Sequence, residues 1–346
     1  MINKNGLTAV SLFTGAGGLD LALCETGRVA NLFSTDAQEV FLSTATKNIG
    51  SHFPSLRHIS IVCDARILTG NDIQKRIGKK IDVLVGGPPC DDFTIFGLRR
   101  GENGPKAMLI FEYSRLVREL RPQGFLFENV PNLTRMFLPL FERLLEELRA
   151  AGYSVEWRIL RACDYGSPTM RERVIVIGIK NSDMRICFKP ATHCKIEKQE
   201  ELFSDEPPRC NFTLVRDVLA GMPDAGTLEQ TGLYNHTGRT HRPQTIAHLR
   251  TVPQGVAIKQ SYRYRAPWDS LCRSLTAGLD DSTKSYIHPW YDREMSVREY
   301  ARLHGFPDSW IFMGTHHNGI KQVANAVPLP LGRAAVETLL LSLGVI

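Results

Sequence analysis

The chain predicts an α/β protein built on a doubly wound, mostly parallel sheet. Three observations carry that prediction. Short strand-like runs, apolar on both faces and rich in Val, Ile, Leu and Phe, recur through the first 180 residues, as strands buried in a parallel sheet do. Helical patterns fall between them, and such alternation winds helices over both faces of one sheet. A glycine turn, "TGAGG" at 14–18, directly follows the first run, where open sheets of this kind receive ligands.

Six strands are expected, over 8–13 ("TAVSLF"), 30–36 ("ANLFSTD"), 58–64 ("HISIVCD"), 81–87 ("IDVLVGG"), 124–129 ("GFLFEN") and 173–179 ("RVIVIGI"). In "FLPLFERLLEELRAAG", Phe137, Phe141, Leu144, Leu145 and Leu148 make one apolar stripe, and Gly152 stops the helix. After about residue 182 the alternation fades. Residues 197–229 carry eight acids against Lys198, Arg209 and Arg216. Residues 234–273 carry seven bases against Asp269 alone, interleaved with His236, His241, His248, Tyr234, Tyr262, Tyr264 and Trp268. The expected division is a main domain over 1–181, a smaller inserted domain over 182–272, and a C-terminal part over 273–346 whose last helix returns to the first domain. In that part Ser296 and Glu299 form a capping box. "QVANAVPLPLGRAAVETLLLSLG" reads as one amphipathic helix interrupted early by Pro328 and Pro330.

Composition bounds the function. The 346 residues are 43% hydrophobic, with a formal net charge of +6, a mild lean toward polyanionic partners. No apolar stretch approaches the roughly 20 residues that span a bilayer, and no secretory h-region is visible. Eight cysteines without a CxxC suit a reducing cytosol. The spacing of Cys187, His193, Cys194 and Cys210 fits no common zinc pattern, so no metal is expected.

Two ends of the sheet carry chemistry. Gly15-x-Gly17-Gly18 differs from the GxGxxG of dinucleotide binders, yet it lets backbone approach a ligand at a helix N-terminus. Asp36 ends the second run, where a carboxylate suits a ribose diol. Asp64 ends the third, where it can accept from an adenine amino group. Together they describe a nucleoside pocket, with NAD and S-adenosylmethionine both open at this point. At the other end Cys90 follows the fourth run, Glu128 ends the fifth, and Arg171 and Arg173 precede the sixth. A thiol, a carboxyl group and guanidinium groups would converge at one edge.

The segments "SLFTGAGGLDLAL", "GGPPCDDFTIFG", "FENVPNL", "YGSPTMRERVIVIGI", "RSLTAGLDDSTKSYIHPWYDREMSVREYARLHGFPDSW" and "QVANAVPLP" resemble, in order, the motifs of the DNA (cytosine-5) methyltransferases. The resemblance covers nearly the whole chain except the middle of the variable region. It implies a Rossmann-like S-adenosylmethionine-dependent methyltransferase fold with an inserted target-recognition domain, and methyl transfer to C5 of a cytosine flipped out of duplex DNA. Cys90 would add to C6 as the nucleophile, Glu128 would share a proton with N3, and Arg173, with Arg171 beside it in the motif, would stabilise charge. The cofactor, S-adenosylmethionine, with S-adenosylhomocysteine as product, would be held by Phe13, Gly15, Gly17, Gly18, Leu19, Asp36, Asp64, Pro88, Leu109, Asn325 and Ala326.

The partners so implied are double-stranded DNA and a cognate restriction or defence complex, for a monomeric protein of the bacterial cytosol and nucleoid with no membrane contact. Residues 234–273 would touch the DNA, and 91–106, with Arg99, Arg100 and Lys106, would close over the flipped base. This sequence departs from the family pattern at Asp91, where Gln is usual, at Ala37, where an aromatic is usual, at Ser11, where an acid is common, and at Ala326, where small polar residues are frequent. Asp91 and Asp92 are expected to point away from the thiol. The competing readings are a tRNA cytosine-5 methyltransferase, a non-catalytic DNA-binding regulator on the same scaffold, and, more remotely, a Rossmann dehydrogenase.

Overall fold

The computed structural model describes residues 6–89, 107–180, 186–195, 210–257, 263–275 and 286–346. The chain forms two compact units: Met1–Leu160, Glu172–Lys189 and Gly332–Ile346 make the first, and Arg161–Arg171 with Pro190–Leu331 make the second.

The first unit alternates strand and helix: β1 (Leu7–Leu12), α1 (Gly18–Glu25), β2 (Val29–Asp36), α2 (Glu39–His52), β3 (Arg57–Val62), α3 (Gly70–Ile77), β4 (Val83–Gly86), α4 (Leu109–Leu120), β5 (Gly124–Asn129), α5 (Asn132–Arg135), α6 (Leu138–Ala150), β6 (Tyr153–Arg161) and β7 (Glu172–Lys180). The strands form one seven-stranded sheet in the order β3-β2-β1-β4-β5-β7-β6. The pairs β1–β2, β2–β3, β1–β4 and β4–β5 are parallel. The strand order therefore reverses between β1 and β4, and ligands of open α/β sheets sit at the carboxyl ends beside such a reversal.

Two departures from expectation follow from what a sequence pattern can encode. β7 runs antiparallel to β5, with Glu128 opposite Ile175 and Asn129 opposite Val174. "RVIVIGI" is apolar on both faces, and such a run reads the same in either direction. β6 is the second departure, a strand beyond the six expected. Its central residues are largely exposed, so it lacks the buried, apolar signature of the others.

On one face, Val10, Leu12, Phe33, Leu84, Phe125 and Phe127 pack under Ile73 of α3, Leu116 and Leu120 of α4, and Phe141, Leu144 and Leu148 of α6. Each such side chain contributes about 1.5–3 kcal/mol by leaving water. The predicted α6 stripe is buried from Phe141 to Leu148, while Phe137 stands at the N-cap, and Gly152 follows the helix with φ 91°. Strand alternation turns Gly124, Leu126 and Glu128 toward the opposite face. There the last helix, α12 (Leu329–Ser342), brings Leu339, with Leu343 just past its end, so close to Gly124 that a Cβ would stand 2.8 Å from Leu339 Cδ1.

The second unit holds β8 (His193–Cys194), β9 (Cys210–Asn211), α7 (Val215–Leu219), α8 (Leu228–Thr231), α9 (Pro243–Arg250), β10 (Tyr264–Arg265), β11 (Tyr286–Ile287), α10 (Val297–Leu303) and α11 (His316–Asn325). α12 (Leu329–Ser342) ends the succession. The expected single terminal helix is thus two. Pro328 offers no amide to continue α11 and restricts the residue before it, whereas Pro330 is tolerated in the first turn of α12.

Buried arginines organise this unit. Arg265 donates to the carbonyls of Leu249, Val252 and His288 at 2.6–2.9 Å and to Asp292 at 2.9 Å. Arg298 donates to the carbonyls of Tyr234, Pro307 and Trp310 at 2.6–3.0 Å. The Ser296–Glu299 capping box is present, with Ser296 Oγ accepting from the Glu299 amide at 3.2 Å and Glu299 Oε2 from the Ser296 amide at 2.7 Å.

The expected boundary after 272 does not divide the compact units, because α10 is bonded into the preceding region. The Arg298 amide donates to Asn235 O at 2.9 Å, and His236 Nδ1 lies 2.8 Å from Ser296 Oγ. Residues 161–171 join the same unit through reciprocal bonds, Met170 N to Cys272 O at 2.9 Å and Cys272 N to Pro168 O at 2.7 Å. Among the described residues no group of three or more His, Cys, Asp or Glu is placed to hold a metal, and no helix is long and apolar enough to cross a membrane.

Candidate active site

The end of β4 fits only glycine. A Cβ on Gly86 would stand 2.7 Å from Leu12 O, and one on Gly87 would stand 2.4 Å from Glu128 Oε2. The missing side chain at Gly87 makes room for the Glu128 carboxylate. Pro88 is buried, and its carbonyl accepts from Asn129 Nδ2 at 3.2 Å, while Asn129 Oδ1 accepts from the Val130 amide at 2.9 Å. The carboxyl ends of β4 and β5 are thereby stitched together.

Because β7 is antiparallel to β5, it begins where β5 ends. This places Arg173 Nε 2.7 Å from Glu128 Oε1, with both side chains about nine-tenths buried. Arg173 Nη1 also donates to Glu172 O at 2.7 Å. Desolvated pairs of this kind are strongly interdependent: removing one partner of a buried pair costs about 3–5 kcal/mol. The arrangement offers a carboxylate with one oxygen held by a guanidinium and the other over Gly87, at the carboxyl edge of the sheet. Cys90 lies outside the described residues, as do Asp91, Asp92 and the 91–106 segment with Arg99, Arg100 and Lys106.

Arg171, expected beside Arg173 in the chemistry, is placed in the second unit. It is 2% exposed and donates to the carbonyls of Leu275 and Ala324. Those two bonds tie Arg171 to the chain around Leu275 and Ala324. Asn325 ends α11 in the same unit, and the Ala326 amide donates to the carbonyls of Gln322 and Val323 at 3.1 Å.

At the reversal of strand order, the turn after β1 has positive φ at Phe13 (53°), Gly15 (56°) and Gly17 (84°). A left-handed conformation is unusual for a phenylalanine, and Gly17 in that conformation caps α1. Leu19 is buried in the first turn of that helix. A Cβ on Gly15 would meet nothing closer than Phe13 O at 4.0 Å, so open space lies over the turn. Asp36 Oδ2 accepts from the Gly15 amide at 2.8 Å and Oδ1 from Gln38 N at 2.8 Å. Burial raises its pKa above the usual carboxylate range despite those amides. A carboxylate has about four acceptor sites, so capacity for a hydroxyl remains beyond the amides of Gln38, Gly15 and Ala37.

Asp64 is engaged by Arg66, whose Nε and Nη2 reach both oxygens at 2.5–3.1 Å, and that contact lowers its pKa. Leu109 opens α4, half-buried. Ala37 is exposed.

The sequence reading missed Asp20. It is fully buried in the first turn of α1, and the signal was an acid inside the apolar run "GLDLAL". Ser11 donates to its Oδ1, and Ser34 Oγ donates to Oδ2 at 2.6 Å. Ser11, which stands where the family pattern has an acid, is therefore bonded to one. Burial pushes Asp20 up to about 6, against the opposing hydrogen bonds of Ser11 and Ser34.

Within 234–273 the expected nucleic-acid face is divided. Tyr264, Arg265 and His236 are buried, the last two with their polar atoms bonded inside the unit. The buried three serve the core of the unit, not a partner. Arg239, Arg242, Arg250, Arg273, His248 and Tyr234 are exposed, and Tyr262 and Lys259 lie outside the described residues.

The family model for C-5 cytosine-specific DNA methylase matches residues 7–340. Curated relatives include Type II methyltransferase M.SacI of Streptomyces achromogenes, 29% identical over 98% of this chain and 94% of that protein. Type II methyltransferase M1.HphI of Haemophilus parahaemolyticus is 27% identical over 96% and 87%. Among solved structures, one described as a DNA modification methyltransferase encoded within a prophage (E. coli) superposes with TM-score 0.76 at 24% identity, covering 98% of this chain and all of that one. The S. pombe Dnmt2 methyltransferase superposes with TM-score 0.65 at 18% identity, over 97% of this chain and 99% of that one. At these identities the superpositions speak for the fold.

Proposed function

The chain belongs to the C-5 cytosine-specific DNA methylase family, and from that premise we propose that it methylates C5 of a cytosine flipped out of a specific duplex sequence, using Cys90, Glu128 and Arg173. The observation that carries the assignment is the buried Glu128–Arg173 pair, 2.7 Å apart, at the edge where β4 ends and leads toward Cys90. Cytosine C5 is a weak nucleophile. Addition of the Cys90 thiolate at C6 moves electron density to C5, and the ring then needs its negative charge relieved. Glu128, sharing a proton with N3, meets that need, and Arg173 fixes the carboxylate while offering further N–H groups toward O2. Loss of the C5 proton and expulsion of the thiolate then restore the aromatic ring.

The open turn over Gly15, the remaining acceptor capacity of Asp36 and the buried Pro88 fit S-adenosylmethionine, which supplies an electrophilic sulfonium methyl when bound. Phe13, Gly15, Gly17, Gly18 and Leu19 would form the turn beneath it, Asp36 would take the ribose hydroxyls, Asp64 the adenine amino group, with Leu109 beside them; the family resemblance also assigns Asn325 and Ala326 to the cofactor. The exposed arginines of 239–273 would contact phosphates. The Type II names of the relatives support a place in a restriction–modification system.

The test is incubation of the purified protein with isotope-labelled S-adenosylmethionine and duplex DNA, followed by bisulfite sequencing. Label in 5-methylcytosine at one sequence motif is expected, falling at least 100-fold in Cys90→Ala and Glu128→Gln. Undiminished transfer by Cys90→Ala would overturn the nucleophile, and methylation of tRNA in place of DNA would overturn the substrate.

A further inference from the structure

Two chains of hydrogen bonds in the first unit end on one carboxylate. On one side the Thr35 amide donates to Thr14 Oγ1 at 3.1 Å, Thr14 Oγ1 lies 3.0 Å from Ser11 Oγ, and Ser11 donates to Asp20. On the other, His58 Nε2 lies 3.0 Å from Ser34 Oγ, and Ser34 donates to Asp20. The directions are forced. An ionised carboxylate only accepts, so each serine spends its proton on Asp20 and must itself accept from behind. Thr14 Oγ1 points its hydrogen toward Ser11, whose Oγ lies at 3.0 Å and whose carbonyl oxygen at 3.2 Å, and His58 carries a proton on Nε2. Burial lowers His58 to about 4, so the neutral ring plays that part.

The first chain passes through the glycine turn. Thr14 is bonded to β2 through its own amide, to Thr35 O at 3.1 Å, and its carbonyl accepts from the Gly17 amide at 3.0 Å. Gly15, the next residue, is held from above by Asp36. The turn is pinned below by Thr14 and above by the acid assigned to the ribose.

We propose that Asp20 is a positioning residue for cofactor binding: its carboxylate, as the common end of both chains, holds the Phe13–Gly18 turn in the left-handed shape that leaves open space over Gly15. This rests on the assignment of the turn and Asp36 to the cofactor. Asn cannot replace Asp here without reversing one chain. Its NH2 would donate to a serine, which must then turn its own hydrogen toward Thr14 or His58, where a donor already points.

The experiment measures S-adenosylhomocysteine binding by calorimetry at pH 8, with steady-state KM for cofactor and for DNA, in the full-length protein. Asp20→Asn is expected to weaken binding about tenfold and raise the cofactor KM, with the DNA KM unmoved. Thr14→Val leaves Asp20 both of its serines and cuts the link to the turn, together with the acceptor that Thr14 Oγ1 gives the Thr35 amide. It is expected to weaken binding several-fold in protein that still melts cooperatively, at a somewhat lower temperature, well above that of the assay. Exchanging the two groups, in the double variant Ser11→Asp with Asp20→Ser, is expected to bind more tightly than Asp20→Ser alone.

Binding within twofold of the parent in both Asp20→Asn and Thr14→Val would overturn the proposal. Should Asp20→Asn fail to fold, Thr14→Val decides alone. Asp36→Ala separates the two levels. If it weakens binding while Thr14→Val does not, only the positioning role of Asp20 fails. If neither matters, the cofactor assignment itself is wrong.

Discussion

A methyl group at Gly87 would stand 2.4 Å from Glu128 Oε2, far inside contact distance, and the carboxylate can yield only by leaving Arg173. Gly87→Ala should therefore lower the rate of methyl transfer at least tenfold while the protein stays folded, measurable as kcat on duplex DNA beside a thermal melt. His288 offers a different reading at the same scale. Its Nδ1 accepts from the amides of Trp290 and Tyr291 at 3.1 Å, so it must stay unprotonated there, and burial lowers its pKa from 6.5 to about 4. Between those values the unfolded chain takes a proton that the folded one refuses, so stability is present above pH 6.5 and is lost as pH falls. The loss at pH 5 is about 2 kcal/mol, and His288→Asn should flatten that part of the pH dependence of denaturant unfolding. Asp20, raised from 3.8 to about 6, acts oppositely, adding stability as pH falls through that interval, so the comparison must be made between parent and variant. The meeting of Glu128 and Arg173 was foreshadowed because motif spacing sets each at a strand end. The role of Gly87 and the network of Asp20 were not, since they depend on which side chains the sheet brings face to face.

Elements were legible where burial is symmetric and hidden where it is not. The first five expected strands and β7 all read as apolar runs, but the reversed direction of β7 has no local signature, and it is this reversal that sets Arg173 against Glu128. Opposite Phe125, Gly178 of β7 marks a tight fit: a Cβ there would stand 2.1 Å from Phe125 Cε1. Gly178→Ala should cost about 1–3 kcal/mol through overpacking. Gly50, in α2, has open space where a methyl group would stand, with nothing within 4 Å. It predicts the opposite sign, and Gly50→Ala should gain about 0.5–1 kcal/mol. Denaturant melts of the two variants check both. In the basic stretch the sequence pattern overcounted partners for DNA, because Arg265 reads as a charge whether it faces solvent or fills a core. Burial of its guanidinium among five carbonyls and Asp292 is a tertiary fact.

At the scale of the molecule, α12 is bonded to the first unit in several ways. Arg333 forms two bonds of 2.7 Å with Glu25 at the end of α1, Thr338 Oγ1 accepts from the Lys189 amide at 3.1 Å, and Leu339 packs on Gly124. Deleting 332–346 should expose that apolar surface and leave the protein largely insoluble, which fractionation of expressed protein would read directly. Removing only Arg333's charge, as Arg333→Gln, should cost no more than about 1 kcal/mol, as exposed pairs do. The exact division between units was less legible, because it turns on buried arginines and backbone bonds that join distant stretches without leaving a compositional mark.

The position of α12 also sets a timetable for synthesis. The strands of the first unit leave the ribosome early, but their cover over Gly124 is translated only after the whole of Pro190–Leu331. At about 5–20 residues per second that interval lasts roughly 7–30 s. During it the part of the sheet around Gly124 waits uncovered, so a nascent chain should be a client of chaperones and should not bind cofactor firmly. DNA modification by newly made protein would then begin only with a finished chain, never from a fragment still attached to the ribosome.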